Sequence, residues 1–142
     1  MSFAFIKNKL KRLSWRGRRP EPKLSLGSRG EGAAARYLKR RHYRVMARNY
    51  ACPVGEIDLV CQDGDTLVFV EVRTRADDEH QNPEEFAGPG KWRRVERAAR
   101  YYLMEHDAAG RPCRFDLVSV VWPPRGTPRL EHFEDAFQAR QP

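Results

Sequence analysis

Two apolar segments, residues 55–61 and 67–73, constrain the fold most strongly because they flank a turn-forming Asp-Gly-Asp sequence. Segments of this length that are rich in β-branched residues and joined by such a turn predict a β-hairpin. Each predicted strand carries an acid in its interior, Asp58 in the first and Glu71 in the second. The two-residue period of a strand predicts two faces for the first segment, Glu56, Asp58 and Val60 on one and Ile57, Leu59 and Cys61 on the other. The same period places Glu71 on one face with Phe69 and Arg73.

The length of the hairpin loop decides how the two acids meet. A two-residue turn at Asp63-Gly64 leaves Asp58 diagonal to Glu71, whereas a four-residue loop places the two directly opposite each other. In either register the carboxylates lie on one face, roughly 5 to 8 Å apart at Cβ. Like charges placed opposite each other destabilise a sheet, so a cation is expected between them. The two candidates are an arginine, Arg73 or Arg75, and a Mg²⁺ ion, which binds through one or two carboxylates and keeps several waters.

The net charge of +8 is concentrated at the N-terminus, where residues 1–24 hold eight Lys and Arg against one acid. This segment is predicted to be a basic, flexible tail, followed by one domain over residues 25–138 and a short C-terminal tail at 139–142. A short basic amphipathic helix that touches lipid or nucleic acid is the alternative for the tail. The charge favours a polyanionic partner but does not locate its binding site.

Several classes of protein are disfavoured by the sequence. No apolar run approaches the roughly 18 residues of a membrane span, and the N-terminal apolar residues are too few for a secretory signal. The three cysteines form no CxxC pair and the four histidines are scattered, so neither disulfides nor a zinc cage is expected. We therefore expect a cytoplasmic protein without integral membrane association. The sequence does not define the oligomeric state, and a homodimer is one option.

Two helices are predicted, over residues 28–42 and 91–106. Ser28 is the expected N-cap of the first, and Glu31, three residues later, completes a capping-box pattern. Glu31 also lies on the apolar face of this helix, so capping and a functional role both remain open. The second helix exposes a basic side with Lys91, Arg93, Arg94 and Arg97.

The predicted order is helix, three strands, helix, strand, followed by a short edge strand at 130–133 and a terminal turn at 134–137. A crossover through the second helix should bring residues 115–121 parallel to a strand of the hairpin sheet. The predicted fold class is α/β, with a small mixed sheet flanked by helices.

This layout resembles the restriction-endonuclease-like, or PD-(D/E)xK, superfamily, and within it the bacterial YraN-like family. The resemblance spans roughly residues 27–138, and its most specific segments are Gly55-Glu56-Ile57-Asp58-Leu59 and Phe69-Val70-Glu71-Val72-Arg73. It implies a restriction-endonuclease-like core similar to that of archaeal Holliday-junction resolvases. It further implies that Glu31, Asp58 and Glu71 are catalytic and bind Mg²⁺ or Mn²⁺.

One position departs from the superfamily pattern, because the lysine of its ExK motif is Arg73 here. A lysine can shift its pKa and help to deprotonate water, whereas arginine stays charged at neutral pH. Arg73 is expected to clamp a phosphate, with Glu56 or a metal-bound hydroxide as the base and Lys91 as a substitute ammonium. Candidate nucleic-acid-binding residues are Arg75, Lys91, Arg93, Arg94 and Arg97.

Three functions follow from these observations. The first is a nucleic-acid-binding protein that acts as a Mg²⁺-dependent endonuclease on branched or damaged DNA. The second is a DNA-binding protein that keeps the fold without turnover. The third is a membrane-peripheral adaptor that uses the basic N-terminal helix.

Overall fold

The computed structural model describes residues 25–76 and 89–139. The predicted basic tail and most of the connection between the third strand and the second helix lie outside these residues. The described elements are α1 (Leu26–Arg40), β1 (Arg44–Cys52), β2 (Gly55–Asp63), β3 (Thr66–Arg75), α2 (Pro89–Glu105), β4 (Cys113–Val121) and β5 (Arg129–Phe137). Neither described helix is long and apolar enough to cross a membrane.

The five strands form one mixed sheet in the order β1-β2-β3-β4-β5. Strands β3 and β4 pair in parallel and the other neighbours pair antiparallel, so the predicted crossover through the second helix is confirmed. The sheet is flanked by the two helices, and the predicted α/β fold class is confirmed. Strand β5 is longer than predicted because the expected terminal turn at 134–137 continues the strand.

Each helix covers one face of the sheet with an apolar layer. The α1 layer contains Ala34, Ala35, Leu38, Leu59, Cys61, Val68, Val70, Val72, Val118 and Val120. The α2 layer contains Trp92, Val95, Ala98, Ala99, Tyr102, Ile57, Val60, Leu67, Phe69, Phe115 and Leu117. Burial on both faces explains why β2, β3 and β4 read as nearly continuous apolar runs.

Helix α1 begins one turn earlier than the sequence predicts. Its N-cap is Ser25, whose side chain accepts a hydrogen bond from the backbone N–H of Ser28 at 3.1 Å. The expectation that Ser28 caps the helix is therefore wrong, because Ser25 satisfies the same free N–H groups first. Glu31 lies in the second turn, so the capping box does not explain this acid.

The hairpin turn consists of Gly64 and Asp65, closed by the pair Asp63–Thr66. Gly64 has a φ of +58°, which glycine adopts without steric cost. The paired residues run to Leu59 opposite Val70, so position 58 lies opposite position 71. The register is thus the one in which the two acids face each other, although the turn is tighter than the four-residue loop considered for it.

The strict alternation predicted for β2 fails at Asp58. Leu59 and Cys61 lie in the α1 layer as alternation requires, but Ile57 packs in the α2 layer. The predicted common face for Ile57 and Leu59 is therefore wrong. The alternation breaks here because β2 and β3 stop pairing beyond Leu59 and Val70. Strand β1 is irregular at the same level, where Asn49 has a φ of +50°.

A second buried carboxylate, Asp116 on β4, ties β5 to the sheet. Its oxygens accept hydrogen bonds from Arg114 at 2.9 and 3.0 Å and from the backbone N–H of Asp135 at 2.9 Å, and contact His132 Nε2 at 2.7 Å. Although burial opposes ionisation, the contacts with His132 and Arg114 hold the pKa of Asp116 below its usual range. The group is fully buried and fully partnered, as a structural network requires.

Candidate functional site

Asp58 lies where β2 and β3 separate. Its Oδ2 atom accepts a hydrogen bond of 2.8 Å from the backbone N–H of Val72. The side chain thereby replaces a strand partner for an N–H group that would otherwise be left without one in a mostly buried setting. Asp58 is held by the sheet itself, with its carboxylate directed between the two strands.

Glu71 lies opposite Asp58 and is only 2% exposed. Its Oε1 atom is 2.5 Å from Lys91 Nζ and 3.5 Å from Arg73 Nε. Burial, followed by the nearby negative charge of Asp58, raises the pKa of Glu71 to about 7, against the opposing effect of Lys91. The pair of acids is thus already in contact with protein cations. Arg73 is one of the candidates that the sequence offers for this contact, whereas the closer cation, Lys91, is not.

Asp58 and Glu71 line a cavity of about 260 Å³ between β2, β3 and the start of α2. Its lining residues are Gly55, Glu56, Asp58, Glu71, Lys91, Arg94 and Val95. The floor is acidic, whereas the α2 side of the rim carries an ammonium and a guanidinium. Such a distribution suits a phosphate group bridged to the carboxylates by a cation.

A glycine allows α2 to approach this cavity closely. A Cβ atom added to Gly55 would lie 3.0 Å from the backbone oxygen of Arg94 and 3.6 Å from the Ala98 side chain. The absence of a side chain at Gly55 therefore lets the helix backbone lie against the start of β2. This contact brings Lys91, one turn before Arg94, over the carboxylates.

Glu31 approaches the same acids from α1. Burial, followed by the charge of Asp58, raises the pKa of Glu31, while a hydrogen bond with the Asn49 side chain and the charge of Arg48 act in the opposite direction. The charge of Asp58 therefore acts on both other acids. Glu31 does not line the cavity, so the structure brings the three predicted acids into one neighbourhood but only two of them into the cavity.

Gly30 sets the position of Glu31. A Cβ atom at Gly30 would lie 2.7 Å from both Cβ and Cγ2 of Thr74, closer than any packed side chain allows. Helix α1 can lie this close to β3 only because residue 30 has no side chain. The sequence analysis did not find the positioning roles of Gly30, Gly55 and Asn49. Asn49 was the available signal, because Asn adopts a positive φ more often than most residues and so indicates an irregular backbone.

Asp58 and Glu71 can be tested as a site for a hard cation without Glu31, which lies outside the cavity. Within residues 25–76 and 89–139, no three His, Cys, Asp or Glu side chains are grouped closely enough to hold a metal ion. Mg²⁺ binds through as few as one or two carboxylates and retains waters for a phosphate-bearing ligand, so Asp58 and Glu71 alone fit it. The three-acid metal site stays a prediction.

The predicted nucleic-acid-binding residues divide into two groups. Lys91 and Arg94 line the cavity, with Lys91 in contact with Glu71. Arg93 and Arg97 are exposed on α2 outside it, and Arg75 is half-buried at the end of β3. Arg73 lies beside Glu71 with its side chain 33% exposed, so its guanidinium faces both the acid and solvent.

The fold and the cavity define an α/β domain with a paired-carboxylate pocket, consistent with a restriction-endonuclease-like core. The chain belongs to the uncharacterised protein family UPF0102, whose sequence profile matches residues 30–120. The predicted YraN-like family is thereby confirmed.

Three proteins of this family illustrate the similarity, each named as a UPF0102 protein. The protein from Pelotomaculum thermopropionicum is 47% identical over 113 residues, which cover 79% of this chain and 94% of the relative. The protein from Anaeromyxobacter dehalogenans is 46% identical over 113 residues, covering 80% and 84% of the two chains. The protein from Geotalea uraniireducens is 40% identical over 114 residues, covering 80% and 90%.

Proposed function

We propose that this protein binds DNA and hydrolyses its phosphodiester bonds with Mg²⁺ as cofactor, as a member of the PD-(D/E)xK superfamily, acting on branched or damaged DNA. The observation that carries the proposal is the opposition of Asp58 and Glu71 in a cavity rimmed by Lys91 and Arg94. Burial of Glu71 at 2% exposure makes its negative charge costly unless a cation compensates it.

Each residue of the cavity has a role in this proposal. Asp58 and Glu71 would hold the cation, and Lys91 and Arg73 would place positive charge beside the phosphate that is cleaved. Arg94 at the rim is placed to contact a neighbouring phosphate oxygen. A bound Mg²⁺ would supply a water of lowered pKa and stabilise charge on the phosphate in the transition state.

The second candidate is a DNA-binding protein without turnover. The observation that favours it is the ion pair between Lys91 and Glu71, since a carboxylate already neutralised by the protein needs no metal. Arg73 in place of the superfamily lysine favours it also, because arginine does not accept a proton. The two candidates share the binding surface and differ only in cleavage.

The test compares the wild-type protein with Asp58→Asn on labelled four-way junction, flap, single-stranded and duplex DNA, with and without Mg²⁺ or Mn²⁺. Asparagine is the suitable replacement because its side-chain oxygen can still accept from the N–H of Val72, whereas alanine would leave that donor without a partner. Glu131→Gln, which removes an exposed carboxylate outside the cavity, is the matched control.

We expect metal-dependent cleavage by the wild-type protein and the control, and none by Asp58→Asn. DNA binding, measured by fluorescence anisotropy, should persist in all three and weaken with salt. Equal cleavage by wild type and Asp58→Asn would overturn the assignment of the cavity. Salt-sensitive binding without cleavage of any substrate would establish the second candidate.

A further inference from the structure

The Lys91 ammonium occupies the position that a cation shared by the two acids needs. Its Nζ atom is 2.5 Å from Oε1 of Glu71, a carboxylate that is only 2% exposed. At this distance the contact is a close ion pair. A divalent ion bound to the same oxygen would lie at about 2.0–2.1 Å from it, so its charge would repel an ammonium held there.

The backbone of α2 places Lys91 above the two acids. Because Gly55 lets α2 lie against β2, the turn that carries Lys91 and Arg94 is held directly over the acids. The Lys91 side chain is nevertheless 41% exposed, and its four-carbon stem can place the ammonium elsewhere in the cavity. Lys91 is thus placed to leave Glu71 without any movement of the helix.

We infer that Lys91 is the resident counter-cation of the Asp58–Glu71 pair, and that a divalent ion binds the pair only by displacing the Lys91 ammonium from Glu71. The inference rests on the proposed function in that it concerns the same cavity. It assigns Lys91 a second state, in which the displaced ammonium turns beside Arg94 toward the cavity opening. A phosphate group is the ligand whose charge suits that pair of cations.

Two consequences follow from this exchange. Removal of the ammonium should tighten divalent-ion binding, by about tenfold even at the dielectric constant of water for charges of +1 and +2 about 5 Å apart. Binding of the ion and binding of a phosphate should also favour each other, because the ion releases the cation that the phosphate contacts.

The experiment is a calorimetric titration of the full-length protein with Mg²⁺ alone, at pH 8.5 and fixed ionic strength. The variants are Lys91→Met, which keeps the length of the side chain, and Arg94→Met as the matched control. Arg94 lines the same cavity on the same helix, and within the described residues the ion pairs of Glu71 are with Lys91 and Arg73 instead. Lys91→Gln is titrated as well, so that the result does not depend on the folding of one variant.

We expect Mg²⁺ to bind Lys91→Met and Lys91→Gln at least about tenfold more tightly than wild type, and Arg94→Met with a change below about threefold. Asp58→Asn should bind no Mg²⁺ in the same titration. Unchanged or weaker binding by both Lys91 variants would overturn the inference while leaving the proposed function standing. Tighter binding without cleavage of any DNA would instead support the inference and refute the proposed nuclease. An equal gain in the Lys91 and Arg94 variants would show a general charge effect and overturn the displacement.

Discussion

Replacement of Glu71 by glutamine should stabilise the metal-free protein, and increasingly so as the pH rises. Glu71 is buried, and its pKa in the folded protein is about 7, against an ordinary value of 4.5. A carboxyl group with a raised pKa in the folded state favours folding while it is protonated, and loses that contribution as the pH rises through 7. Glutamine has no charge to bury and keeps nearly the same shape.

The magnitude follows from the two pKa values. Between pH 5 and pH 8, ionisation of Glu71 should lower the free energy of unfolding of the wild-type protein by about 2–3 kcal/mol relative to Glu71→Gln. With a urea dependence of about 1–3 kcal/mol per molar for a protein of this size, the difference between the two urea midpoints should change by about 1 M.

Urea unfolding followed by circular dichroism, at pH 5 and pH 8 in the presence of a chelator, measures this difference. Both proteins contain the Asp116 network, so its pH dependence cancels in the comparison. Glu131→Gln controls for the loss of one exposed negative charge. If wild type and Glu71→Gln lost stability equally between the two pH values, the burial of an ionised Glu71 beside Asp58 would be refuted.

Three further predictions concern other parts of the chain. Gly30→Ala should destabilise the protein by about 1–3 kcal/mol because its Cβ would overlap the Thr74 side chain, whereas Gly32→Ala, with no neighbour closer than 3.5 Å, should be neutral or stabilising in thermal unfolding. Asp116→Asn should cost about 3–5 kcal/mol at pH 7 in urea unfolding. Because the lowered pKa of Asp116 stabilises the wild type only above the usual carboxyl range, the cost should shrink as the pH falls toward 3. Deletion of residues 1–24 should leave the Tm nearly unchanged, yet weaken DNA binding and reduce its salt dependence; failure of the shortened protein to fold would contradict this.

The sequence predicts much of the central hairpin because its information is local. A two-residue period and a turn signal are enough to place Glu71 and Arg73 on one face and to bring Asp58 near them. The order of helices and strands follows from segments of clear apolar periodicity. The parallel pairing of β3 with β4 follows from the helix between them.

The remaining features depend on contacts between distant segments. The contact of Lys91 with Glu71 requires α2 to lie against β2, which a missing side chain at Gly55 permits. The break in alternation at Asp58 arises from a hydrogen bond to the backbone of the neighbouring strand. The length of β5 depends on Asp116, whose carboxylate accepts from the β5 backbone at Asp135. No local pattern in the sequence predicts these contacts.

Asp58 and Glu71 differ in what each contributes to the stability of the fold. Asp58 satisfies the backbone N–H of Val72, so a structural role accounts for an acid at that position even without chemistry. Glu71 has no comparable role among the described residues: its Oε1 atom is buried, its ionised form opposes folding, and the protein offsets its charge with Lys91. A side chain that lowers the stability of the fold, and that glutamine would replace at no cost in shape, is explained by what it binds. Glu71, together with the ammonium that compensates it, is therefore the stronger argument that this cavity has a ligand.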